Sequence, residues 1–282
     1  MRIALAQFTA GTDPAANLEL VLEQIGRAAA SGAQLVVFPE AMSCSFARPR
    51  VEAAEPLDGP WANAVRQAAV DAGVTVAVGL FTPGRDGRVR NTLLVTGPDA
   101  EAHYDKLHLF DAYGFAESAQ IEPGDAVVTV TVDRVVFGLT TCYDIRFPEL
   151  YKQLAAAGAE VIVVPASWAP GERKVEQWRA LAVARALDAT CFVVAVDQAL
   201  PPADPDADPA RRKPTGVGHS LVVGPLGEIL VELGPEPRLE LIDLDVEAVR
   251  AARTILPVLA NSRFTSTLTG GVGGGTPRSP LD

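Results

Sequence analysis

An α/β fold, with two sheets packed back to back and helices on their outer faces, is predicted by three observations. Short apolar strands alternate with amphipathic helical stretches from the first residues on. The same unit recurs in the second half of the chain, and each half has a hairpin inserted into it. Of the 282 residues, 48% are hydrophobic and 21% charged, which supplies a large core. No clean boundary separates the halves, so residues 1–265 read as one domain and the Gly-rich stretch 266–282 as a flexible tail.

Each element follows from local chemistry. "RIALAQF" (2–8) is an apolar strand, and the helix over 14–30 begins with Asp13 as N-cap and Pro14 at its first position. "AQLVVFPE" is a buried-type strand that ends at Glu40. A helix over "PWANAVRQAAVDAG" and the strand "VTVAVGLF" repeat the unit; "GRDGR" then turns the chain into "VRNTLLVTG", an antiparallel neighbour. Residues 98–125 read as a loop, followed by the strands "AVVTVTV" and "RVVFGLTT" and a helix to about residue 157. The strand "EVIVVPAS", the helix "VEQWRALAVARALDA" and the strand "CFVVAVDQ" continue the rhythm. Pro- and Asp-rich residues 199–215 are expected to form a mobile surface loop. The hairpin "HSLVVGPLGEILVEL", the strand "RLELIDLDV" and the helix "VEAVRAARTIL" close the fold.

Composition excludes several function classes. A net charge of −11, with no Lys/Arg-rich run, argues against nucleic acid or an anionic membrane as partner. No window reaches the roughly 20 apolar residues of a membrane span, and the N-terminus lacks the pattern of a signal peptide, so the chain reads as cytoplasmic. Three cysteines, Cys44, Cys142 and Cys191, show no metal-type spacing and read as free thiols, so neither a metal nor a cofactor is expected.

The chemistry centres on "TCYDIRFPEL" (141–150). Cys142 lies between an apolar strand and a predicted helix whose first turn holds Pro148 and Glu149, a place where a thiol pKa is expected to fall. An inert core cysteine is the competing reading. A catalytic cysteine is usually activated by histidine, but His103, His108 and His219 sit in no local signature. Glu40 is different: a buried strand delivers it to the carboxyl end of a sheet, where ligands collect, and a carboxylate desolvated there suits a general base. Lys106, flanked by apolar and aromatic residues in "YDKLHLF", is a candidate buried cation, able to pair with a carboxylate or stabilise an oxyanion. Sheet-edge pairing for Glu40 and a solvated loop charge for Lys106 are the plainer alternatives.

Together, "FPE", "DKLHLF" and "TCYDIRFPEL" resemble the nitrilase superfamily of carbon-nitrogen hydrolases, in that family's order, and the resemblance runs from "MRIALAQF" to about "LPVLANSRF". It implies an α-β-β-α sandwich that dimerises into a stack with twice the layers, and a Glu-Lys-Cys triad of Glu40, Lys106 and Cys142. A second glutamate of the family maps to Glu117, with Glu122 as the nearby competitor. It further implies attack of Cys142 on a small-molecule amide, with Glu40 moving the proton and Lys106 and the Tyr143 N–H holding the oxyanion. "CYDIRFPEL", "PASW" and "GHSLVVGPLGE" look most like the Nit-type amidase branch, which includes ω-amidase and deaminated-glutathione amidase. Those substrates are anionic, so Arg146 and Arg179 are candidate pocket cations, and Ser167 and Trp168 candidate pocket walls. The stretch "APGERKVEQW" departs from the branch, which has a histidine-tryptophan pair there. An N-carbamoyl-amine hydrolase or aliphatic amidase, a histidine-assisted cysteine hydrolase and a non-catalytic binding scaffold are the alternatives.

Overall fold

Strand β1 (Arg2–Gln7) shows how the layers are made. Ile3 and Leu5 point into an apolar layer between two sheets, while Ala4 and Ala6 point to the opposite face, against helices. The two-residue period of an extended chain imposes this alternation, and burial on both faces is why such strands read as unbroken apolar runs. The computed structural model describes residues 1–112, 114–201 and 215–264. Most of the loop predicted at 199–215, and all of the predicted tail, lie outside the described residues.

Helix α1 (Pro14–Ala30) starts as predicted, with the Asp13 carboxylate accepting from the Ala15 N–H. Strand β2 (Leu35–Val37), the short α2 (Arg50–Ala53), α3 (Pro60–Ala72), β3 (Thr75–Pro83), β4 (Val89–Thr96) and β5 (Glu101–Asp105) build most of the first sheet. Two-residue strands β6 (Asp111–Ala112) and β7 (Phe115–Ala116) pair within the following loop. The second sheet uses β8 (Thr129–Val132), β9 (Val135–Leu139), β10 (Val161–Ala166), β11 (Phe192–Asp197), β12 (Leu221–Val223) and β13 (Ile229–Glu232). Helix α4 (Pro148–Ala156) lies between β9 and β10, and α5 (Lys174–Ala189) between β10 and β11. Strand β14 (Arg238–Asp243) returns to pair with β1, and α6 (Glu247–Ile255) and α7 (Val258–Asn261) follow.

The first sheet has the order β14-β1-β2-β3-β4-β5 and the second β8-β9-β10-β11-β12-β13. Both carry one pattern: an antiparallel edge strand, three parallel strands, then two antiparallel ones. Val37, Leu93 and Val95 meet Phe137, Val161 and Val163 between the sheets. Val21, Ile25, Trp61 and Val65 of α1 and α3 cover the outer face of the first sheet, and Leu150, Leu154, Trp178 and Ala182 of α4 and α5 that of the second. The layers therefore run helix, sheet, sheet, helix, as expected. Both sheets share the middle layer, so neither half has a complete core of its own.

Three predicted boundaries move. Strand β2 stops at Val37 because Pro39 has no N–H to extend the ladder. β5 lies inside the predicted loop: "EAHYD" is polar because the strand is at the sheet edge and buries only Tyr104 completely. β8 begins at Thr129, later than Ala126. Beyond the carboxyl ends of the parallel strands the two sheets jointly leave a crevice, the usual place for a ligand in an open α/β sheet.

Candidate active site

The chain leaves β2 through Phe38, Pro39 and Glu40 and turns sharply at Ala41, which takes a left-handed φ of 59°. The turn is pressed onto β3 at Gly79, whose carbonyl accepts from the Met42 N–H at 2.9 Å. A Cβ on Gly79 would come within 2.5 Å of the Ala41 nitrogen and 2.8 Å of the Glu40 Cα, so glycine is required for this approach. Glu40 is 1% exposed. Its Oε1 accepts from Asn91 Nδ2 at 2.7 Å and Lys106 Nζ at 3.0 Å, and its Oε2 from the Ser167 N–H at 2.8 Å.

Lys106 follows β5 and is fixed at both ends of its peptide: its N–H donates to the Asn91 carbonyl and its carbonyl accepts from the Gly124 N–H, each at 2.9 Å. The ammonium bridges the two acids, reaching Glu117 Oε1 at 3.1 Å and Oε2 at 3.0 Å as well as Glu40. Burial lowers the Lys106 pKa, but Glu117, Glu40 and Cys142 more than offset it, and the group is held well above the usual lysine range. It is a permanent cation. Glu117, rather than Glu122, meets this lysine. Glu122 instead accepts from Arg85 and Arg90 on the β3–β4 hairpin.

Cys142 comes directly after β9 and has a φ of 49°, a left-handed conformation that costs about 1 kcal/mol or more for a residue with a Cβ. It opens a 3-10 turn, Cys142–Arg146, whose shape is held by Asp144. That fully buried carboxylate accepts from the Thr141 N–H at 2.8 Å, the Tyr104 hydroxyl at 2.7 Å and the His108 N–H at 3.0 Å. One side chain thus ties the lysine-bearing loop to the cysteine-bearing turn. The thiol faces both Glu40 and the Ser167 N–H. Burial pushes the Cys142 thiol well up and the Glu40 charge adds to this, while Lys106 and the Ser167 N–H oppose it without reversing it. The expected fall in pKa is therefore corrected. The cysteine sits on a short 3-10 turn rather than on α4, which begins only at Pro148, and desolvation dominates. The resting group is a thiol beside a carboxylate positioned to take its proton.

These groups line one cavity that opens to the surface. Phe46, Phe110, Phe115 and Trp168 form apolar walls, and Tyr143 and Ser167 also face it. As the first residues of the 3-10 turn, Cys142 and Tyr143 have N–H groups with no acceptor inside the turn. Arg146 does not line the cavity: it donates to Gln177 at 2.8 Å and stacks 5.3 Å from the Trp168 ring. Arg179 is drawn away by Glu232, at 2.6 Å. None of the histidines lines the cavity; His108 stacks on Phe147 with ring centroids 3.7 Å apart, and His219 faces Glu232 at 3.4 Å. Sequence reasoning missed three participants. Asn91 was hidden inside an ordinary strand, Asp144 lay within "TCYDIRFPEL" with no role assigned to it, and Lys174, which does line the cavity, sat in the departing stretch "APGERKVEQW".

Comparison with known proteins identifies the family. A family model described as carbon-nitrogen hydrolase matches residues 2–254. Hydrolase Rv0480c of Mycobacterium tuberculosis is 54% identical over 266 residues, covering 93% of this chain and 95% of that one. The deaminated glutathione amidase of Escherichia coli O157:H7 is 32% identical over 269 residues, covering 94% of this chain and 98% of that one. A variant of the amidase from Nesterenkonia sp. AN1 is 29% identical, with a TM-score of 0.73 over 91% of this chain and 98% of its own, and carries acrylamide added to its active-site cysteine. With its sandwich of two sheets and a buried cysteine facing a glutamate and a lysine, the chain belongs to the carbon-nitrogen hydrolase family and is an amidohydrolase.

Proposed function

We propose that this protein is a thiol-dependent amidase that hydrolyses a small carboxylate-bearing amide through a thioester, as an ω-amidase or deaminated glutathione amidase does. The observation that carries the reading is the buried Glu40–Lys106–Glu117 chain against which the Cys142 thiol sits. Glu40 takes the thiol proton as the sulfur attacks the amide carbon, and the carbonyl π electrons move to oxygen. The oxyanion is met by the Lys106 ammonium and the Tyr143 N–H, each such donor being worth roughly 3 kcal/mol. Protonated Glu40 then gives its proton to the leaving nitrogen; ammonia or an amine departs and the thioester forms. Glu40 next deprotonates a water that attacks the thioester, and the acid leaves with the thiol restored. Glu117 keeps Lys106 charged and aimed throughout. Relatives of similar length named as deaminated glutathione amidase and omega-amidase support the substrate class. We place the enzyme in the cytoplasm as a homodimer.

The test is ammonia release from α-ketoglutaramate, deaminated glutathione and simple neutral amides, by the wild type and by Cys142→Ala. Turnover of an anionic amide is expected, with a loss of about 10⁴-fold or more in the variant. An electrophilic amide analogue should add its mass to the tryptic peptide of Cys142. Turnover by Cys142→Ala at the wild-type rate would overturn the mechanism.

A further inference from the structure

Among the described residues, two cations line the cavity, Lys106 and Lys174. Lys106 is engaged by Glu40 and Glu117, the two carboxylates of the lining. Lys174, the first residue of α5, is 9% exposed and enters the cavity between aromatic walls, its Nζ 5.8 Å from the Phe110 ring centroid and 5.2 Å from that of Trp168. Rings at that range attract an ammonium through their quadrupoles and help to aim it into the cavity. A second polar group faces the same space: Ser167 is 1% exposed and its hydroxyl meets no hydrogen-bond partner among the described residues. Three arginines outside the lining are engaged elsewhere: Arg146 by Gln177 and the Trp168 ring, Arg179 by Glu232, and Arg50, stacked over the outer sides of Phe46 and Phe115, by Gln120.

We infer that Lys174 is the specificity-determining residue of this enzyme, pairing with a carboxylate that the substrate carries beyond its scissile amide. The inference rests on the amidase reading above and names the group that reads the acid end. Burial has already removed most of the water from Lys174, and it pulls the lysine's pKa down, with the Arg146 charge adding to the effect. An arriving carboxylate therefore finds a cation whose desolvation the fold has largely supplied, in a setting of low dielectric where the charge pair is stronger than in water. The apolar walls between the two charged ends suit a short methylene or keto-acid chain, and the unpartnered Ser167 hydroxyl supplies a donor for an oxygen along it.

The experiment compares two amides of equal length, glutaric acid monoamide and pentanamide, which differ in the terminal carboxylate. The readout is the ratio of kcat/KM for the anionic over the neutral amide, in the wild type, Lys174→Met, Lys174→Gln, Lys174→Arg and Arg146→Gln. The wild type is expected to favour the anion. Lys174→Met and Lys174→Gln should each cut the ratio by about 30-fold or more, the usual weight of a charge-assisted hydrogen bond in a desolvated site. Lys174→Arg should keep most of it. Two neutral replacements of different shape keep the test open if one fails to fold. If the wild type favours the anion and both neutral variants retain that preference, Lys174 is not the anchor and the amidase reading stands; a collapse in Arg146→Gln alone would move the role there. If the wild type shows no preference for the anion, the carboxylate reading itself falls, and the role of Lys174 with it.

Discussion

The two sheets are built alike and used differently. Each runs an antiparallel edge strand, three parallel strands and two antiparallel ones. The carboxyl ends of their middle parallel strands, β2 and β10, meet where the Ser167 N–H donates to Glu40 at 2.8 Å. The first sheet contributes the acid, the lysine and Asn91; the second contributes the nucleophile, the Ser167 N–H and the wall at Trp168. The tripeptide Phe-Pro-Glu makes the difference concrete, because it occurs at 38–40 and again at 147–149. After β2 it places Glu40 in the crevice, 1% exposed and held by three donors. In the second half the same three residues start α4, and Glu149 stands exposed in its first turn. Chemistry here belongs to the strand end a residue occupies and not to the tripeptide that contains it.

Substitutions at three glutamates probe that contrast, from the largest expected effect down. Glu40→Gln keeps the shape and the neighbours but cannot move the thiol proton, and kcat/KM should fall about 10²–10⁴-fold. A loss of less than tenfold, measured by ammonia release, would remove Glu40 as the base. Glu122→Gln concerns a second buried carboxylate of the first half, 2% exposed yet outside the cavity lining. It should leave kcat within about threefold and cost about 1–2 kcal/mol of stability, seen as a lower Tm. The Arg85 N–H, followed by the Arg85 side chain and Arg90, holds the Glu122 carboxyl down to about 2, below its ordinary value of 4.5. Because the folded pKa is the lower one, the carboxylate's contribution is complete above pH 4.5 and drains away as the pH falls toward 2. The Tm gap between wild type and Glu122→Gln should narrow over that interval; a gap independent of pH would assign the effect to shape rather than charge. Glu149→Gln should change kcat/KM by less than twofold and stability by about 0.5 kcal/mol or less. A large kinetic effect there would mean that the two halves share the site more evenly than their geometry indicates.

Much of this was legible along the chain. "LVVFPE" and "RVVFGLTTCYD" each announce an apolar strand running into a chemically useful residue, and both deliver it to the crevice. The pocket cation was not legible. Arg146 and Arg179 lie in or near strong motifs, and their guanidinium groups turn to Gln177 and Glu232. Lys174 sits in a stretch that matches no motif, and it reaches the cavity because α5 begins there after a turn at Arg173, whose φ is 56°. Asn91 was invisible for the opposite reason: it is one polar residue in a regular strand, and only the pairing of β4 with β5 places its amide between Glu40 and Glu117.

The sequence by itself determined the layers, because strand and helix periodicities fix which side chains are buried, and it pointed to the candidate trio, because Glu40 and Cys142 end or follow apolar strands and Lys106 is flanked by apolar and aromatic residues. Tertiary structure alone decided the state of those groups. Whether Cys142 rests as thiol or thiolate depends on how far burial outweighs one lysine and one N–H, and those contributions come from β5, β9 and β10, far apart in the chain. It also decided which cations reach the cavity, since a long flexible side chain goes to whichever partner the fold brings within reach.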